Sequence, residues 1–169
     1  RTKDHAEVLW QGLREGFVDT LATDHSPHTL DEKGSDIYGK LTKPAIWDCI
    51  SGFCGVETGV PLILTEVNKG RLTLNQYVKV ACENPARVWQ VYPKKGAIRL
   101  GSDGDITIVD MDKEGTIDVN NLHRKNKPWP WHGWKDKGMP VLTVVRGHVQ
   151  MRDGEPCGKA IGKALKPLI

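Results

Sequence analysis

No apolar run in this sequence approaches the ~20 residues that span a bilayer, so the pattern contains no candidate membrane helix. Paired cysteines are also missing. Cys49, Cys54, Cys82 and Cys157 match neither a zinc finger nor a redox pair, and the expectation is four buried free thiols in a reducing compartment. Charge of one sign is not in surplus. Charged residues make up 27% of the chain, yet the net charge is only +3, which gives no case for a nucleic-acid partner. Lys and Arg outnumber acids after Asn121, but singly and among Trp and Gly, the pattern of a solvated surface. There is no internal repeat and no low-complexity tract. The chain lacks an initiator methionine, opening on Arg1-Thr2-Lys3-Asp4, and carries no recognisable secretion signal. These features predict a soluble, cytoplasmic protein that begins part-way through a longer one.

What is present is organised around Leu21-Ala22-Thr23-Asp24-His25-Ser26-Pro27-His28. The apolar run 17–22 predicts a short buried strand. It stops at an acid, two imidazoles and a proline. Polar groups crowded at the exit of a buried strand mark where barrels and open α/β sheets place their chemistry.

Around this stretch, Ala6, Leu9, Trp10 and Leu13 share one face at helical spacing, predicting a helix over 4–15 that Gly16 stops. Residues 29–43 read as a loop over the site. Gly52, Gly55 and Gly59 allow a close approach of backbone to ligand, or merely a turning loop. Pro61 predicts the start of a helix running to about Asn68 and closed by Lys69-Gly70. Thr73 is the predicted N-cap of a helix over 74–82, with Leu74, Val78 and Ala81 facing inward. Asn84 is read as the cap of a further turn with Pro85 at its first position, a structural role. Beyond Tyr92 the period changes. Strands are predicted at 96–101, 105–110, 141–145 and 148–151, with Arg146-Gly147 turning between the last two. The change divides the chain into 1–92 and 93–169. Trp129, Trp131 and Trp134 predict a proline-stiffened tail pinned to the body by its indoles.

Asp and His side chains suit a divalent ion such as Zn²⁺, and a metal lowers the pKa of its water to about 7. Asp24 can serve as metal ligand and proton carrier, and His28 as a substrate contact. Asp24 can equally begin an ordinary turn. A catalytic zinc takes three protein ligands, and none of His5, His123, His132 or His148 completes a familiar ligand spacing.

Thr23-Asp24-His25-Ser26-Pro27-His28 with Glu32-Lys33 resembles the late-barrel motif of dihydroorotases in the cyclic amidohydrolase group. Gly55-Val56-Glu57-Thr58 with Pro61-Leu62, then Asn84-Pro85-Ala86, Lys95-Gly96, Gly101-Ser102-Asp103-Gly104-Asp105 and Ile108-Val109-Asp110 resemble its later segments in the same order. Arg1 looks like the end of the segment before the last barrel strand. The resemblance implies an α/β fold: the C-terminal portion of a (β/α)₈ TIM barrel (1–92), then strands of a small β-sandwich domain and a tail (93–169). It implies metal-dependent opening of a cyclic amide in pyrimidine metabolism by a homo-oligomer. Asp24 would bind one of two zinc ions bridged by a carbamylated lysine that this chain lacks, and shuttle the proton. His28 would meet the substrate carboxylate, with the Gly52 and Gly55 backbone lining the pocket and His25 in support. His28 favours a dihydroorotase over an allantoinase or hydantoinase. A non-catalytic, amidohydrolase-like scaffold is the remaining alternative. Because the other metal ligands are not in the sequence, these residues alone are expected to be inactive.

Overall fold

A computed structural model describes residues 2–36, 40–42, 45–124, 126 and 130–168; the expectations for Arg1, Trp129 and part of the 29–43 loop lie outside them. Helix α1 (Lys3–Glu15) ends, as its sequence predicts, at Gly16 in the left-handed conformation. A four-residue helix, α2 (Leu30–Lys33), occupies the stretch read as loop. Its Thr29 and Glu32 cap each other's backbone N–H groups.

Helix α3 (Val56–Asn68) begins five residues before the predicted start, with Pro61 inside it. Proline in a helix interior removes a backbone donor. The helix can begin early because the first N–H groups are satisfied from far away in sequence, by His25. Helix α4 (Leu74–Val78) opens on the predicted Thr73 cap. It runs through a π-helical turn (Lys79–Glu83) into α5 (Asn84–Val88).

The wide turn corrects two expectations. The inward face is not set by Leu74 and Val78, which are exposed, but by Val80, which is buried. A π turn breaks the 3.6-residue phase on which the prediction rested. Asn84 is not the N-cap of the turn that follows; its backbone is helical and its side-chain amide donates to the Asp19 carbonyl at 2.8 Å. In the π register the carbonyl of Val80 would pair with residue 85, a proline with no N–H. That freed oxygen accepts instead from Leu21 N–H at 3.0 Å.

The remaining chain forms one antiparallel meander, β1 (Ile106–Thr116), β2 (Lys135–Val145), β3 (His148–Arg152) and β4 (Glu155–Pro156), in that order. Arg146-Gly147 and Asp153-Gly154 turn with positive φ, as hairpin turns with right-handed twist require. Three of the four predicted strands are therefore present. Residues 96–101 are not a strand: Ile98 is 83% and Leu100 fully exposed, and no described segment pairs with them. Lys95 fixes this loop by ion pairs to Asp103 and Asp105.

The sheet lies on α3. Gly138 makes this possible, since a Cβ there would come within 2.8 Å of Leu64 Cβ. Lys137 N–H donates to Thr65 Oγ1, and the Asn68 amide bonds the carbonyls of Met111 and Lys137. One apolar cluster centres on Leu13, Leu72 and Val80; a second joins Ile117 and Val119 to Leu62, Leu122 and Trp131. Trp131 thus pins its segment as predicted, whereas Trp134 is 55% exposed and does not. Of the four thiols, all free, only Cys54 is buried; Cys82 and Cys157 are exposed.

Asp136 is the anomaly between helix and sheet. It is buried, and its Oδ1 has no hydrogen-bond partner. Burial pushes its carboxyl above the usual carboxylate range. A raised folded-state value favours the neutral form, so the penalty is absent below the unfolded pKa and grows as pH rises through the folded one. Asp136→Asn, which removes the buried charge and keeps the shape, is therefore expected to raise the melting temperature at pH 8. The gain should shrink toward pH 4. Thermal melts at both values check this; an equal gain at each would remove the titration from the explanation.

Candidate active site

Residues 17–23 form no strand, because no described segment runs alongside to form a ladder. Phe17 is 81% exposed, contrary to the expected buried run. The segment is instead positioned by single contacts. Phe17 and Val18 N–H groups donate to Gly12 O, Asp19 O accepts from Asn84, and Leu21 N–H reaches Val80 O. Thr23 fills the space beside Gly55 and Gly59; a Cβ on Gly55 would lie 2.8 Å from Thr23 Cβ.

Asp24 follows at a sharp change of direction, with φ +46°. That left-handed region costs most side chains 1–2 kcal/mol, and aspartate is among the few that visit it. Its side chain is exposed, and its carboxylate makes no hydrogen bond or ion pair among the described residues. His25 then forms a parallel bridge with Phe53, and Ser26 N–H donates to Phe53 O at 2.8 Å.

The His25 ring meets the start of α3. Its Nδ1 accepts from the N–H groups of Gly55 (3.1 Å) and Val56 (3.3 Å), the donors that open α3. Such donors lack partners inside the helix and need an external acceptor. The lone pair of Nδ1 is thereby committed to the helix terminus, and His25 supports the turn. His28 is half-buried, with Nδ1 3.7 Å from Glu32 Oε2. Bonds from the Thr29 backbone and hydroxyl hold the Glu32 carboxyl below its ordinary range, with a further contribution from His28. Gly52 packs directly on Ser26 at φ +102°, where an L side chain is strained.

Sequence reasoning missed a strap across this turn. Asn126 donates to Pro27 O at 2.8 Å, and Arg124 donates to Cys54 O at 3.2 Å. His123 Nδ1 lies 2.7 Å from Glu57 Oε1, and its Nε2 lies 3.4 Å from Glu155 Oε2. Bonding to Glu57 and then Glu155 raises the His123 pKa. Burial alone would push the Glu57 carboxyl up, but bonds from the His123 ring and backbone leave it lowered. Partners this far apart in sequence leave no spacing signal; only the charged residue types hint at them.

The described residues bring Asp24, His28, Gly52 and Gly55 onto one connected unit. They hold no group of three His, Cys, Asp or Glu side chains able to bind a metal ion, and no helix long and apolar enough to cross a membrane.

The ordered motifs and this braced turn define a class, and comparison agrees: residues 1–150 match the amidohydrolase family, to which the chain belongs. Its relatives include the L-hydantoinase of Paenarthrobacter aurescens, 39% identical over 87% of this chain and 31% of that protein. The dihydroorotase of Acetivibrio thermocellus is 38% identical over 90% and 34%. The solved L-hydantoinase (dihydropyrimidinase) of Arthrobacter aurescens superposes with a TM-score of 0.86 at 38% identity, over 94% of this chain and 34% of that one. The chain spans about a third of the length of the relatives it matches.

Proposed function

We propose that the full-length protein hydrolyses a cyclic amide, with Asp24 as metal ligand and proton carrier. The observation that carries this reading is an exposed carboxylate, without a partner among the described residues, held at a left-handed bend braced by α3, the Gly52 loop and the Asn126 strap. On this reading residues 1–92 belong to a (β/α)₈ barrel and 93–169 to a small β domain, whose sheet described here would be one layer.

The donor chemistry fits a divalent ion in part. Asp24 offers a hard oxygen donor of the kind zinc accepts. A catalytic zinc takes three protein ligands, so the remaining ones, and any carbamylated lysine bridging a second ion, would come from residues outside this chain. When bound, such an ion makes hydroxide accessible near neutral pH. Asp24 accepts a proton at a carboxylate oxygen and returns it to the ring nitrogen as the amide bond breaks. Gly52 and Gly55 form the pocket wall. The Gly55 N–H is committed to His25, so Gly55 contributes by close backbone approach and not by that donor.

His28 is proposed to meet the substrate's carboxylate, with Glu32 orienting the ring. Relatives bearing both names have nearly equal identity, so the ring must be assigned by assay. Charge-assisted hydrogen bonds contribute about 1.5–3 kcal/mol. His28→Ala should accordingly raise KM for dihydroorotate about 10- to 100-fold and for an uncharged hydantoin by less than about 3-fold. Equal changes for the two rings would discredit the carboxylate contact. A full-length wild-type protein that opens neither dihydroorotate, allantoin nor hydantoin would sink the function itself.

A further inference from the structure

Among the described residues, Lys33 is a buried cation of the site region that the proposed chemistry does not use. Its side chain is almost wholly enclosed, at 7% exposure, although it sits on a helix of only four residues. Lysines are almost never fully buried without a partner. Here the ammonium donates to Ile50 O at 3.1 Å and stands 4.7 Å from the centre of the Phe53 ring. Both partners flank Gly52. A second bond, Ile50 N–H to Glu32 O at 3.2 Å, ties the same two segments one residue away. Phe53 in turn carries the bridge to His25 and accepts from Ser26 N–H. A continuous path of contacts thus runs from α2, through the Gly52 loop, to the bend that holds Asp24.

We propose that Lys33 is a positioning residue: its ammonium clamps the Gly52 loop against His25 and Ser26, and so sets the pocket wall relative to Asp24 and His28. The role rests on the cyclic-amide reading and deepens it, since Lys33 itself touches no substrate. Two features of the contact suit a clamp. A carbonyl and an aromatic face are both attracted to a compact cation, and the attraction strengthens where water is excluded. Among the described residues no carboxylate pairs with this charge, so losing it releases the loop without freeing an acid. Burial lowers the ammonium pKa below the ordinary lysine range, as expected for an enclosed cation.

The test uses the full-length protein with Lys33→Met, Lys33→Arg and Phe53→Leu, assayed on dihydroorotate and hydantoin, with hydrogen exchange followed over residues 24–28, 50–56 and 60–68. Lys33→Met should raise KM at least 10-fold while kcat per folded protein stays within 3-fold. Lys33→Arg should recover most of that KM, because a guanidinium can still donate and stack. Exchange at 24–28 and 50–56 should quicken at least 10-fold in Lys33→Met, with 60–68 unchanged. Phe53→Leu, which keeps the charge, should raise KM by a smaller factor, and it decides the matter if Lys33→Met does not fold. Unchanged KM in the folded variants, or an arginine as impaired as the methionine, overturns the clamp. If wild type opens neither ring, the function has failed instead; exchange still judges the clamp, and equal rates in mutant and wild type reject it.

Discussion

Replacing Asp24 by asparagine in the full-length protein is expected to lower kcat for ring opening by about 10²–10⁴-fold, the range for loss of a positioned general acid–base. Asparagine keeps the size and the tolerance for a left-handed backbone, so the bend at φ +46° should survive. What is lost is a negative oxygen donor and a site for the travelling proton. Two readouts separate these. Loss of metal from the purified protein reports the ligand role; a fall in kcat at full metal content reports the proton role. The carboxylate has no partner among the described residues, so the change should leave the melting temperature within about 2 °C. Activity that survives intact in Asp24→Asn would falsify both assignments.

Gly52→Ala is expected to be the most damaging small substitution in this part of the protein. The added Cβ would lie 2.4 Å from Ser26 Cβ and 2.6 Å from its hydroxyl, at a φ of +102°. Overpacking costs about 1–3 kcal/mol and a backbone held in a sparsely populated region about 1–3 more. A loss of about 2–6 kcal/mol follows, or a displaced loop with weakened substrate binding. Gly16→Ala is the matched control. Gly16 also has positive φ, but nothing stands within 4 Å of the added methyl, so only backbone strain should appear. Ser26→Gly in the Gly52→Ala background should restore part of the loss, since it removes the atoms in the way. Additive effects in that double mutant would show that the two residues do not compete for one space.

The local pieces were readable because they depend on near neighbours. Helix α1 with its glycine stop, the Thr73 cap, the Arg146-Gly147 turn and the strands from β1 to β3 follow from spacing and from residue types that act within a few positions. The sequence by itself also nominated Asp24, His28, Gly52 and Gly55 as candidates, and its motifs, in a fixed order, pointed to the family to which the chain belongs.

Tertiary structure decided whatever depends on a distant partner. The imidazole of His25 starts α3 early, 30 residues downstream, and Pro85 frees a carbonyl that holds Leu21. Residues 17–22 and 96–101 have strand patterns but no ladder here, since a strand is completed by its neighbour and not by its own side chains. Lys33 and Glu57 were legible only as members of family-like motifs, and Asn126 not at all; their contacts left no trace because a hydrogen bond across tens of residues fixes geometry without imposing any period on the chain.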